Sequence, residues 1–132
     1  MHPVETIPDV RDLRPNERDL IAWLLEHGEP EATAYVSQLP DVTVVSHCSC
    51  GCPSIDLAVS GRAISVTQPS ILLADVAAVT PEGLLAGIIL HARDGLLSEL
   101  EIYPRGEPPA RFSLPKIETI TLLPLSESTP DA

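Results

Sequence analysis

The stretch Gly87-Ile88-Ile89-Leu90-His91-Ala92-Arg93-Asp94-Gly95-Leu96-Leu97-Ser98-Glu99-Leu100-Glu101-Ile102 sets Asp94-Gly95 between two apolar runs. A two-residue type I′ turn wants positive φ at both central positions, which Asp and Gly accept, so the stretch reads as a β-hairpin. A tight turn fixes register. Arg93 is expected opposite Leu96, His91 opposite Ser98, Ile89 opposite Leu100 and Gly87 opposite Ile102, with Leu90 facing Glu99 and Ile88 facing Glu101 on the other side.

Upstream of the hairpin, residues 71–79 form an apolar run that Pro81-Glu82-Gly83 turns into residues 84–90. Further back, Val42, Val44 and Val45 precede a cysteine-rich segment, and Ile55, Leu57 and Val59 alternate with other residues up to Ser60-Gly61. These read as strand, turn, strand. After residue 42 the connections leave no room for helical crossovers, so the sheet is expected to be antiparallel.

Before residue 42 the period changes. Pro15 suits a first helical turn, Leu20, Ile21, Leu24 and Leu25 share a face, and Gly28 ends a helix over 15–27. Ala32, Tyr35, Val36 and Leu39 repeat at three to four residues and predict a short second helix from residue 30 until Pro40. The first dozen residues read as an arm or an irregular first strand. Beyond Tyr103 the prolines disfavour continuous structure, although Ile117, Ile120, Leu122 and Leu123 could supply a late strand.

The expected fold is therefore α+β: two N-terminal helices packed on a mostly antiparallel sheet of four to six strands. Residues 1–125 form one domain, residues 126–132 a flexible tail, and Leu20, Leu24, Val36, Ile89, Leu100 and Ile102 belong to the core. A chain of 132 residues can bury a real core, and with 44% hydrophobic but 3% aromatic residues that core is aliphatic.

Eight Lys plus Arg against nineteen Asp plus Glu leave a formal charge of −11, which repels nucleic-acid phosphates and anionic lipid and favours basic proteins or cations. No stretch reaches the roughly 20 apolar residues of a membrane span, and the N-terminus lacks a signal-peptide pattern. A cytoplasmic location is expected, with reduced thiols.

All three cysteines fall in His47-Cys48-Ser49-Cys50-Gly51-Cys52-Pro53. Thiolates with an imidazole are the usual donors to zinc. In an extended strand, however, residues two apart recur every ~6.6 Å, so Cys48 and Cys52 would stand ~13 Å apart. Sulfurs on one zinc lie within about 4 Å of each other, so only a curl at Gly51 and Pro53 would gather them. Packing as small hydrophobes around a turn, metal ligation and thiol chemistry all remain open for this segment.

Glu99 and Glu101 share a strand face about 6.6 Å apart, a spacing from which two carboxylates could cooperate. Asp75 lies inside an apolar run and is expected to be a buried, hydrogen-bonded carboxylate. Phosphate-binding loops, nucleophile elbows, zinc-protease helices and calcium loops are absent from the sequence, and no residue is assigned a catalytic role.

The helix Arg14-Pro15-Asn16-Glu17-Arg18-Asp19-Leu20-Ile21-Ala22-Trp23-Leu24-Leu25, the patch Cys48-Ser49-Cys50-Gly51-Cys52-Pro53-Ser54-Ile55 and the hairpin from Asp94 to Tyr103 together resemble a family of small uncharacterised bacterial proteins. That resemblance implies a stand-alone cytoplasmic domain and carries no activity.

The leading expectation is a non-catalytic protein-binding module, for instance an antitoxin-like inhibitor whose carboxylates cover a basic effector. Its candidate binding residues are His47, Cys48, Cys50, Cys52, Glu99 and Glu101. No cofactor is expected in that case, and a homodimer through the edge of the hairpin is a third option. The alternative is a small zinc- or thiol-dependent enzyme centred on the cysteines.

Overall fold

Asp94 and Gly95 turn with φ of 58° and 76°, and β5 (Leu85–Arg93) pairs antiparallel with β6 (Leu96–Pro104) as the dipeptide demands. The structure is a computed structural model and describes residues 6–62, 69–106 and 111–121. Before the hairpin come β1 (Thr6–Asp12), α1 (Pro15–His27), a 3-10 segment (Pro30–Asp41), β2 (Val42–Cys48), β3 (Ile55–Val59) and β4 (Ser70–Val79). The strands form one six-stranded antiparallel sheet in the order β1-β2-β3-β6-β5-β4, so the class is α+β and the sheet dominates.

The hairpin register departs from expectation after its first pairs. Arg93 faces Leu96 and Ala92 faces Leu97, but His91 then faces Glu99, which leaves Ser98 as a bulge. From there Leu90 meets Leu100, Ile89 meets Glu101, Ile88 meets Ile102 and Gly87 meets Tyr103. The cause is the three-residue gap between Leu97 and Leu100, which only an extra residue can accommodate if both are to face the core. Ile89 therefore leaves the core and is half-buried, while Ala86, Ile88, Leu90 and Ala92 are buried on one face with Leu97, Leu100 and Ile102. His91 stands with Glu99 and Glu101 and not, as the simple register implied, on the opposite face.

Leu20, Ile21, Leu24 and Leu25 of α1 have no solvent exposure and join the sheet residues in one aliphatic core. Truncating one such leucine to alanine costs about 2–5 kcal/mol. Gly28 follows α1 where a Cβ would overlap the carbonyl oxygens of Leu73 and Leu24, and Glu29 N–H donates to the Leu73 carbonyl at 2.8 Å.

The second helix is wound as 3-10, not α, between Pro30 and Pro40. At three residues per turn Ala32, Tyr35 and Gln38 share a face, which carries Val36 away from the core to 38% exposure. Gln38 uses that face to grip the hairpin, donating to Gly95 O at 2.8 Å and accepting from Leu97 N–H at 3.0 Å. The helical elements follow β1 and do not begin the chain.

The hairpin lies inside the sheet, with β6 against β3 and β5 against β4, so its edges are not free for self-association; the outer strands are β1 and β4. Among the described residues of the expected late strand there is a 3-10 turn at Ile117–Thr119 and a bridge from Thr121 to Ala77. Leu122, Leu123 and the expected tail at 126–132 lie outside the described residues. Asp75 is half-buried. Among the described residues no helix is long and apolar enough to cross a membrane.

Candidate thiol site

β2 and β3 are joined by residues 49–54, and the cysteine segment does not run straight through them. Gly51 takes φ of 98°, a conformation that side-chain-bearing residues rarely adopt, and Cys48 N–H closes the loop on Ser54 O at 3.2 Å. The curl gathers the sulfurs: Cys48, Cys50 and Cys52 present sulfurs all within 4.8 Å of one another, and those of Cys50 and Cys52 are 2.8 Å apart. The ~13 Å separation of an extended strand does not apply.

Backbone amides point at the same sulfurs. Cys50 N–H donates to Cys48 Sγ at 3.3 Å and Cys52 N–H to Cys50 Sγ at 3.4 Å, contacts that stabilise negative charge on sulfur. Cys50 is exposed and the other two are half-buried, so the group is not a set of sequestered hydrophobes. Burial, then contact with Cys50, pushes the Cys48 thiol up to about 12. Burial also acts against ionisation at Cys50, but hydrogen bonds from Cys48, Cys52 and the Cys52 amide outweigh it and hold that thiol below its ordinary value. A cation bound among the sulfurs would expel the protons that remain on them.

His47 is not part of this group. Neighbouring residues on a strand point to opposite faces, and the His47 ring leaves on the side away from Cys48, its Nδ1 3.1 Å from Asp9 Oδ2. Around it lies a separate anchor of β1 to α1. Arg11 donates from both terminal nitrogens to the two Glu17 oxygens at 2.8 and 2.9 Å and from Nε to Asp9 at 3.1 Å. Glu17 also accepts the Arg14 N–H at 2.8 Å at the start of α1. Burial raises the Glu17 carboxyl, yet the Arg11 and Arg14 hydrogen bonds win and hold it below its usual range. A partly buried bidentate pair in that position fastens a strand to a helix.

Glu99 and Glu101 share a cavity with the thiols. It measures about 430 Å³ and is lined by Cys48, Cys50 and Cys52 and by Asp56, Glu99 and Glu101, with Tyr103 and Phe112 among its apolar walls. Asp56 faces Glu99 across β3 and β6, and Glu99 faces His91 across β6 and β5. Ser46 donates to Asp56 at 2.6 Å, and His91 Nε2 lies 2.9 Å from Glu101. Glu99 is raised above the ordinary carboxylate value, chiefly by burial and against the pull of His91.

Asp56 and Ser54 are among the cavity residues that sequence reasoning did not single out. Asp56 could have been found from the alternation Ile55-Asp56-Leu57, which sends it to the face opposite the core. Ser54 carried no signal: its hydroxyl spans to β6, donating to Ile102 O at 3.0 Å and accepting from Ile102 N–H at 2.8 Å. Comparison of the chain with protein-family models, with curated proteins and with solved structures finds no match.

Proposed function

We propose that this protein binds a soft or borderline metal ion, such as zinc, through the thiolates of Cys48, Cys50 and Cys52. One observation carries the reading: three sulfurs within 4.8 Å of one another at a loop shaped by Gly51. Thiolates at that separation need a shift of about 1 Å to share an ion with Zn–S bonds near 2.3 Å, and soft donors select such metals over magnesium or calcium.

Titration of the reduced chain with cadmium tests it, because each Cd–thiolate bond adds ultraviolet charge-transfer absorption. One equivalent per chain with the intensity of three thiolates is expected, and zinc should displace it. A chain that binds no more tightly than its Cys48→Ser/Cys50→Ser/Cys52→Ser variant, with both folded by circular dichroism, ends the reading.

The row Asp56, Glu99 and Glu101 beside the thiols favours a second reading, in which a basic protein docks on this face and is held by charge, as an antitoxin-like inhibitor would hold its effector. That reading requires association with a basic partner to weaken as salt rises. Complex formation indifferent to salt removes it.

A further inference from the structure

A three-thiolate site raises the question of its fourth ligand. We propose that the ion's remaining coordination position opens into the 430 Å³ cavity and is filled there by a small molecule with a soft donor at one end and a positive charge at the other, an aminothiol. This rests on the metal-binding reading above.

Three observations lead to it. First, all three cysteines line this cavity, whereas Cys52 alone of them lines the neighbouring one beside Arg11 and His47, so an ion among the sulfurs faces the acidic side. Second, the described residues do not close the shell. Among the described residues the donor group within 4.8 Å contains the three cysteines and neither a carboxylate nor an imidazole. The Ser54 hydroxyl lies 3.4 Å from Cys52 Sγ but is committed to both backbone groups of Ile102, and His47 is turned toward Asp9. Three protein donors with a fourth position facing a cavity is the pattern of an ion that exchanges ligands, in contrast to the closed four-donor shell of structural zinc.

Third, charge selects the ligand. Three thiolates and a divalent ion leave a net negative charge, and the sheet wall of the cavity adds the carboxylates Asp56, Glu99 and Glu101. An anionic ligand meets repulsion there, while an ammonium group meets carboxylate oxygens. The metal end calls for a soft atom, and the space is large enough for a compact organic molecule beside Tyr103 and Phe112.

The test uses the full chain loaded with one equivalent of cobalt(II) under reducing, oxygen-free conditions, with visible absorption as the readout of the metal's surroundings. Cysteamine, 2-mercaptoethanol and mercaptoacetate present the same thiol with positive, neutral and negative charge. Cysteamine should change the spectrum at a single saturating site and bind about tenfold more tightly than mercaptoacetate, the scale of one partly screened charge interaction. In the Asp56→Asn/Glu101→Gln variant the three thiols should fall within about threefold of one another. A spectrum that responds to none of them means a closed shell and overturns the proposal while leaving metal binding intact. Equal affinities in the parent chain, or loss of cobalt to the added thiol, overturn it as well. Failure to bind cobalt at all sinks the metal reading with it, a result separable from the others because no visible spectrum forms.

Discussion

The β5–β6 and β2–β3 hairpins reverse the chain by different means. Asp94 and Gly95 complete the first reversal in two residues with positive φ at both. Residues 49–54 complete the second, with one positive φ at Gly51 and three thiols arranged around it. A minimal turn leaves no side chain free to converge on anything, while a longer loop folded over itself brings sequence neighbours to one point. The short turn serves the sheet and the long one gathers the thiols.

Removing one thiol tests that division most severely. Cys50→Ser should lower zinc affinity by more than about 100-fold, beyond what losing an outer partner of a ligand costs, yet leave the urea midpoint of the metal-free chain unchanged. Chelator competition and urea titration check the two halves, and a large loss of metal-free stability would make the loop a structural element like the other turn. Gly87→Ala should do the reverse. The Tyr103 ring lies over Gly87 where a Cβ would sit, so overpacking should cost about 1–3 kcal/mol in urea denaturation.

A smaller effect is expected at the tight turn itself. Gly95→Ala places a Cβ at φ of 76°, costing about 1–2 kcal/mol by the same measurement without touching metal affinity. Gly51→Ala should instead reduce zinc affinity, because the strained loop spreads its sulfurs. If the two glycine variants behave alike, the contrast between the hairpins is wrong.

The finest test is pH. The folded chain holds the Glu99 proton more tightly than the unfolded chain does, so its contribution to stability falls as pH rises from 4.5 to its raised folded value. Glu17 has the opposite sign: its folded value is depressed, so stability is lost as pH falls through 4.5 and below. Urea midpoints measured on both sides of 4.5 should show Glu99→Gln removing the decline and Glu17→Gln removing the rise.

Much of the frame was legible because periodicity and turn chemistry are local. Asp94-Gly95, the helix Pro15–His27 and the antiparallel order could all be read from neighbours within a few residues. Register beyond Ser98 could not be read from the turn alone, though the spacing of Leu97 and Leu100 held the clue. Val36 was misplaced because α and 3-10 windings share the same apolar residues over one or two turns and differ only in which of them face inward.

The thiol cluster was visible as a composition and hidden as a geometry. An extended strand and a curled loop are both compatible with Cys-x-Cys-Gly-Cys, and a single φ at Gly51 decides between them. Pairing of β3 with β6 joins residues more than forty positions apart, so the meeting of the cysteines with Glu99 and Glu101 had no local signature. His47 was drawn toward the cysteines by adjacency in sequence, whereas alternation along β2 sends it to the opposite face.

The two outer strands have a consequence for how molecules of this chain meet one another. On β1, Pro8 offers no amide hydrogen and the ladder slips between Pro8 and Arg11. On β4, residues 116–121 already occupy part of the outer rim through Lys116 to Val79, Thr119 to Val79 and Thr121 to Ala77. Both rims are therefore interrupted only in part, and the exposed Ile71 and Leu72 near the start of β4 mark the stretch of border where crowding would first bring copies of the chain together.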